Sequence, residues 1–203
     1  GACYSTNDPA DGLSPFCTSG STALDAGLHC TGASGCDHGT HVAGIVAGVA
    51  PGARIISIQV FSRHTDQPGD TECANAGRTS PCTISRTSDQ ILGLQRVFAL
   101  RNSFNIAAVN MSLGGGQYAS NCDAIDTGRK AAIDSLRSAG IATVIAAGNS
   151  GYTNSAAIPS CISSAISVAA SDGNDRVASF SNLAPYTTLI APGIDVYAAV
   201  PGG

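Results

Sequence analysis

Residues 141–147 constrain the fold of this chain more than any other stretch. Their sequence, Ile-Ala-Thr-Val-Ile-Ala-Ala, is almost uniformly apolar, which predicts a parallel strand buried on both faces. The residues before them, 123–139, have the pattern of an amphipathic helix that Gly140 ends. A buried strand that follows an amphipathic helix is typical of a mostly parallel central sheet covered by helices, which is an α/β fold.

The same alternation of strands and helices extends along most of the chain. The predicted strands are 54–61, 106–113, 165–170 and 187–191, and the predicted helices are 38–48 and 88–101. Residues 1–36 and 62–86 are rich in polar residues and glycine, which predicts loops. We expect one domain over residues 1–203, with ligands bound at the carboxyl ends of its parallel strands.

A histidine begins the first predicted helix. Residues 38–48 read His-Gly-Thr-His-Val-Ala-Gly-Ile-Val-Ala-Gly, with small and β-branched apolar residues on every face, so we expect a helix packed closely on several sides. Such a helix would fix His38 at its N-terminal end with the ring directed into a cleft, an arrangement that suits a general base. His29 and His64 lie in polar sequence and are predicted to be solvated.

Composition limits the classes of partner. Charged residues make up 12% of the chain, the formal net charge is −4, and no cluster of basic residues occurs, so we expect no nucleic-acid partner. No apolar run approaches the length of a membrane span, so no membrane partner is expected.

The cysteines indicate disulfides. There are eight, mostly in loops rich in glycine, serine and asparagine, which is typical of a protein from an oxidising compartment. Cysteine spacing alone does not fix the connectivity. Pairing between neighbours would join Cys3 to Cys17, Cys30 to Cys36, and Cys73 to Cys82.

Three segments together resemble one enzyme family. Residues 38–44, His-Gly-Thr-His-Val-Ala-Gly, resemble the catalytic-histidine motif of the subtilisin-like serine proteases. Residues 109–115, Val-Asn-Met-Ser-Leu-Gly-Gly, resemble the family's substrate-binding strand, and residues 146–151, Ala-Ala-Gly-Asn-Ser-Gly, resemble its oxyanion-hole motif. Because all three segments occur in the family's order, we do not expect the resemblance to have arisen by chance.

The resemblance assigns roles to individual residues. It implies that His38 is the triad base and that Asn149 donates a hydrogen bond to the oxyanion. The segment that would bind the substrate backbone is Ser112, Leu113 and Gly114, and the pocket for the side chain before the scissile bond would be formed by Ala146, Ala147 and Gly148 with Ala157 near its floor. A small, uncharged pocket predicts a preference for apolar side chains.

Two triad members are missing from the match. The family's aspartate should follow an apolar strand, but Asp8, Asp11 and Asp25 lie in polar sequence, and Asp37 is adjacent to His38 and is not expected to reach its ring. The nucleophile should lie in a Gly-Thr-Ser segment, which does not occur. We therefore expect an internal fragment of a three-layer subtilisin-like domain, incomplete at both ends and inactive alone.

The resemblance also implies properties of the parent protein. It would be a secreted, monomeric serine endopeptidase that acts on polypeptides and requires no cofactor or catalytic metal. Structural calcium is common in the family, but the short connection after the His38 helix lacks room for the usual loop, and no site can be located. Related secreted proteases often join the places of Cys122 and Cys161.

Two other interpretations compete with this one. Cys30, Cys36, His38 and His41 are close in sequence and offer thiolate and imidazole ligands of the kind that zinc prefers. Alternatively, the chain is a pseudoprotease that keeps the fold as a binding module, in which case the missing aspartate and serine would be its signature.

Overall fold

A computed structural model describes residues 1–17, 22–23 and 30–201. It divides into two compact units, Gly1–Arg96 with Tyr197–Gly203, and Val97–Val196, which are described separately here. Asp25 and His29 lie outside the described residues, and the prediction of a single domain stays a prediction.

Over its described residues, the first unit is built from short strands, three α-helices and a 3₁₀-helix at Pro9–Asp11. Its elements are β1 (Ala2–Tyr4), β2 (Leu13–Pro15), β3 (Thr22–Ala23), α1 (His38–Val49), β4 (Ile58–Gln59), β5 (Ser62–His64), α2 (Glu72–Asn75), β6 (Cys82–Ile84) and α3 (Thr87–Leu100), whose last residues belong to the second unit. The strands form two three-stranded sheets, ordered β3-β1-β4 and β2-β5-β6.

The prediction of loops at 1–36 and 62–86 was wrong in part, because these segments contribute strands. In the β2-β5-β6 sheet both pairings are antiparallel, with Leu13 opposite His64 and His64 opposite Cys82. These strands have only three residues each, and backbone pairing holds them in place without an apolar run that a sequence pattern could reveal.

The strand predicted at 54–61 is also shorter than expected. Only Ile58 and Gln59 pair, in parallel with Ala2 and Cys3 of β1. Ile55 is 48% exposed despite its β-branched side chain. β1 begins at Ala2, which pairs with Ile58 and whose N–H donates to the carbonyl of Ser57, so residues 54–56 lie beyond the start of β1.

Helix α1 begins at His38 as predicted, but it is not buried. None of its residues is buried, and the side chains from Ile45 onward are exposed. Gly44 packs closely against Ala199, since a Cβ added at Gly44 would lie 2.7 Å from the backbone nitrogen of Ala199. Apolar composition gives the helix a surface that favours burial, but burial also needs neighbouring chain to cover that surface.

Helix α3 agrees with its prediction within one residue at each end and anchors the N-terminal segment. The side chain of Asp89 is buried, and its Oδ2 accepts hydrogen bonds from the backbone and the hydroxyl of Thr6 at 2.9 and 2.8 Å. Gly93 allows close packing, because a Cβ there would lie 2.9 Å from Cγ1 of Val60.

The second unit is organised around a parallel sheet. Its elements are β7 (Ala108–Met111), β8 (Gly115–Tyr118), α4 (Thr127–Ser138), β9 (Ala142–Ala146), β10 (Ala156–Ile158), β11 (Ile166–Ser171) and β12 (Leu189–Pro192). The sheet order is β12-β11-β9-β7 and every pairing in it is parallel, while β8 and β10 form a separate antiparallel pair that the sequence did not predict.

Strand β9 occupies an interior position in that sheet, as predicted. Its burial alternates, however: Thr143 and Ile145 are buried, whereas Ala142, Val144 and Ala146 are half-buried. The expectation of burial on both faces was therefore too strong. Val144 and Ala146 border a cavity, which accounts for their partial exposure.

Helix α4 supports β9 from one side. It begins four residues later than predicted, where Asp126 caps it by accepting a hydrogen bond from the backbone of Arg129 at 3.2 Å. Ile133 and Leu136 are fully buried, and the helix contacts β9. After the helix, Gly140 takes a positive φ of 77°, which turns the chain into the strand.

All eight cysteines form disulfides. The bridges are Cys3–Cys17, Cys30–Cys36, Cys73–Cys82 and Cys122–Cys161, so the three pairs expected between neighbours and the pair implied by the family resemblance are confirmed. The α/β class with a mostly parallel sheet is confirmed as well. Over the part of the chain that the structure describes, no helix is long and apolar enough to cross a membrane.

Candidate active site

A cavity of about 290 Å³ opens at the carboxyl ends of the four parallel strands. Its lining includes Asn110 in β7 and Ser112 after it, Ala146 at the end of β9 and residues 147–149 after it, and Gly193 after β12. The strand ends that the sequence singled out thus meet at one edge of the sheet, where parallel α/β sheets bind ligands.

The loop after β9 presents Asn149 at this cavity. Gly148 precedes it with a φ of 109°, a conformation that favours glycine, and Asn149 itself is exposed. A Cβ on Gly148 would lie 2.3 Å from Nδ2 of Asn182, so a side chain has no room there. The segment Ala-Gly-Asn of the predicted oxyanion-hole motif therefore forms a tight turn that leaves the asparagine side chain accessible.

Asn182 supports this loop from inside the unit. Its side chain is fully buried; Oδ1 accepts hydrogen bonds from the backbone of Ser150 at 2.9 Å and Tyr152 at 3.1 Å, and Nδ2 donates to the carbonyl of Ala147 at 3.0 Å. Its own backbone N–H donates to the carbonyl of Gly148 at 2.9 Å. The sequence did not identify Asn182, because these partners are about thirty residues away along the chain.

The predicted substrate-binding segment begins at the cavity. Ser112 lines the cavity, whereas Leu113 and Gly114 follow it toward β8. A Cβ on Gly114 would lie 2.9 Å from the carbonyl oxygen of Ile158, so this glycine lets the segment approach β10 closely.

Ala157 lies between the two glycine-containing segments and does not line the cavity. It is buried, its backbone N–H donates to the carbonyl of Ala147 at 2.8 Å, and its Cβ is near both Gly114 and Gly148. The structure therefore brings Ala157 close to the other predicted pocket residues, where it packs behind them and is not part of the cavity lining.

His38 is held at the start of α1 in the first unit. Burial lowers its pKa below the ordinary value of 6.5, and the nearby guanidinium of Arg78 lowers it further. Asp37 does not pair with His38; its carboxylate lies 3.8 Å from Nε2 of His41, one helical turn away. The environment thus favours the neutral imidazole, which is the form that can accept a proton.

The proposed zinc site at the start of this helix is contradicted. Cys30 and Cys36 are joined in a disulfide, so neither offers the thiolate that zinc would need. His38 and His41 then lack their two partner ligands.

The prediction that His64 is solvated was wrong. Its ring is fully buried, with Nε2 2.6 Å from Oδ2 of Asp70 and 3.3 Å from Asp66, while Nδ1 lies 3.6 Å from Glu72 and has no hydrogen-bond partner among the described residues. His64 is the last residue of β5, which pairs with β2 on one side and β6 on the other. Polar composition alone does not reveal these pairings or the burial of the ring.

Within the described ranges, the groups of side chains that could hold a metal both include His64, and apart from Nδ1 of that ring their members already have partners. Cys73 is near but is bonded to Cys82. Asp70 contacts the imidazole directly, and both oxygens of Glu72 accept hydrogen bonds from Arg86, at 2.6 and 3.0 Å. Hydrogen bonds and an ion pair with Arg86 thus hold the carboxylates of Asp70 and Glu72 in place.

Comparison with known proteins identifies the family. Residues 24–200 match the family model described as the subtilase family. Subtilisin-like protease 4 of Trichophyton equinum is 35% identical over 170 residues, which cover 82% of this chain and 37% of the relative. The proteins of the same name from Trichophyton tonsurans and Arthroderma benhamiae match equally well. The chain thus spans about a third of the length of these relatives.

Solved structures agree with this assignment. A cold-adapted subtilisin-like serine proteinase matches with a TM-score of 0.57 and 29% identity, over 81% of this chain and 51% of that protein. The prenylagaramide maturation protease PagA matches with a TM-score of 0.63 over 82% of this chain and 55% of its own, and at 23% identity it supports the fold alone. The match to the family model over most of the chain, together with these relatives, shows that the chain belongs to the subtilase family of subtilisin-like proteases.

Proposed function

We propose that the protein carrying this chain is a serine endopeptidase that cleaves polypeptides through an acyl-enzyme intermediate. The observation that supports this most directly is the loop after β9, where the tight turn at Gly148 leaves Asn149 exposed at a cavity in a chain of the subtilase family. The family's other relevant segments, at His38 and at Ser112, support the same assignment.

In this mechanism His38 accepts the proton of the nucleophilic serine and then donates it to the leaving amine. Its lowered pKa suits the first step, because the imidazole then stays neutral, and able to accept a proton, at lower pH than an ordinary histidine does. Asn149 and a backbone N–H donate hydrogen bonds to the oxygen that becomes negative in the tetrahedral intermediate. The backbone of the substrate pairs with the segment formed by Ser112, Leu113 and Gly114.

We propose that the triad aspartate and serine are supplied by parts of the protein beyond this sequence. The chain alone is then inactive, since a base and an oxyanion donor without a nucleophile cannot form the acyl-enzyme. No cofactor takes part in the chemistry, and structural calcium has no assigned place.

We propose further that the protein is secreted and acts as a monomer. Four disulfides in a chain of this size are typical of proteins that fold in an oxidising compartment. A cavity lined by Ala146, Ala147 and Gly148 favours peptides with an apolar side chain before the scissile bond. A profile on a peptide library that showed a basic preference would refute the assignment of that pocket.

The test uses the full-length protein encoded by the gene that contains this sequence. We expect it to cleave peptide substrates and to lose activity on labelling by a fluorophosphonate, which reacts with activated serines. A folded, secreted full-length protein that neither cleaves peptides nor takes up the label would refute the proposal and favour a pseudoprotease.

A further inference from the structure

Asn182 holds the backbone of the proposed oxyanion loop at several points. Through its side chain and its own N–H, it is hydrogen-bonded to residues on both sides of Asn149: Ala147 and Gly148 before it, Ser150 and Tyr152 after it. These are four hydrogen bonds from one residue, and its side chain is completely buried.

The orientation of this amide is determined by its partners. Backbone N–H groups can only donate, so the atom facing Ser150 and Tyr152 must be the oxygen, and the carbonyl of Ala147 can only accept, so the atom facing it must be the nitrogen. A carboxylate can only accept hydrogen bonds and an alkyl group can neither donate nor accept them, while a hydroxyl would have to donate and accept from a single oxygen instead of from two separate atoms. Asparagine is therefore specifically suited to the position.

Neighbouring contacts strengthen the same connection. The backbone N–H of Gly151 donates to the carbonyl of Phe180 at 2.7 Å, and that of Leu183 donates to the carbonyl of Tyr152 at 2.7 Å. The segment around Asn182 thus runs along the loop, while Asn149 remains exposed between anchored residues.

We propose that Asn182 is a positioning residue for catalysis, which fixes the place of Asn149 so that its amide is aimed at the developing oxyanion. The inference rests on the proposed function. Oxyanion stabilisation depends on donors that are already in place before the charge develops, so a loop that moves by about 1 Å loses much of the effect. Asn182 does not touch the substrate in this account.

The test is a double-mutant cycle in the full-length protein, with Asn182→Leu and Asn149→Ala alone and together. Rates are expressed per active site, titrated with a fluorophosphonate, so that unfolded protein does not count. We expect Asn182→Leu to lower kcat by about 10–100-fold with a much smaller change in KM. In the Asn149→Ala background the same change should have little further effect, because its route of action is already removed.

Two further variants keep the test decisive. Ile133→Ala removes a fully buried side chain of α4 and so destabilises the same unit, and it should leave kcat per active site unchanged. Asn182→Ala replaces Asn182→Leu if the leucine variant does not fold, since a smaller side chain leaves space for water to reach Ser150 and Tyr152.

The outcomes separate the two proposals. If the full-length protein without substitutions neither cleaves peptides nor takes up the fluorophosphonate, the proposed function is refuted, and with it the role of Asn182. An active protein in which Asn182→Leu keeps its kcat, or lowers it equally with and without Asn149, refutes the positioning role alone.

Discussion

The imidazole of His38 lies close to the guanidinium of Arg78, and the effect of that cation can be measured. After burial, this charge is the largest cause of the lowered pKa of His38. Arg78→Gln should therefore raise the pKa, while the glutamine amide can still donate to Thr83 as Arg78 does. NMR titration of the histidine ring protons gives the value.

Arg54→Gln serves as the control for this titration. Arg54 is an exposed arginine of the same unit, so the change removes an equal charge without altering the surroundings of His38. A pKa of His38 that stays the same or falls in the Arg78 variant would contradict the assignment.

The candidate site could be predicted from sequence only where a short motif encodes it. Asn149 and Gly148 belong to one contiguous segment, and the structure places that segment at a cavity. Asn182 and the buried His64 depend on contacts between distant segments, so no local pattern identifies them. The polar residues next to His64 in sequence predict an exposed ring, whereas strand pairing buries it.

At the scale of elements, the parallel strands were predictable and the short antiparallel strands were not. β9 follows an amphipathic helix and has an apolar sequence, so composition and periodicity agree. β5 and β6 have three residues each and are stabilised by pairing and a disulfide, neither of which leaves a periodic signal. Residues 54–57 show the reverse case, with strand-forming residues but no strand.

The disulfides should differ in their contribution to stability. Cys122–Cys161 closes 39 residues of chain and Cys30–Cys36 closes 6. Because a cross-link lowers the entropy of the unfolded chain more when the loop is longer, replacing the first pair by serine should cost about 4 kcal/mol and the second about 2 kcal/mol. Urea unfolding measures both, and equal losses would contradict the ordering.

The turn that contains Asp70 should make stability depend on pH. A hydrogen bond from the backbone of Glu72 is the main cause that lowers the pKa of Asp70 below its ordinary value of 3.8, and the bond with His64 adds to it. In that range the unfolded chain binds more protons than the folded one, so the free energy of unfolding rises with pH. The contribution is complete above 3.8 and is lost as pH falls through the folded pKa.

Asp70→Asn tests this dependence in urea unfolding at a series of pH values. The variant should lose less stability than the unaltered chain on acidification below pH 3.8, because it has no proton to gain at this position. Asp195→Asn makes the same chemical change at an exposed carboxylate of the second unit and serves as the matched control. An Asp70 variant with the unaltered slope would contradict the role of that carboxylate.

At the scale of the whole molecule, the chain contains more apolar surface than its own residues cover. Helix α1 is unburied, and Leu189, Ile190 and Tyr197 are between half and almost fully exposed. The chain also spans only about a third of the length of its fungal relatives. We therefore expect these surfaces to be covered in the full-length protein, which makes that protein the right material for functional tests.

The central claim is that this chain contributes the base of a serine protease, and two histidines of one helix test it most directly. We predict that His38→Ala lowers kcat of the full-length protein by about 10⁶-fold, the scale known from subtilisin of the same family. His41→Ala, a matched change three residues later in α1, should retain most of the activity. Full activity in the His38 variant, or a collapse of activity only in the His41 variant, would contradict the account.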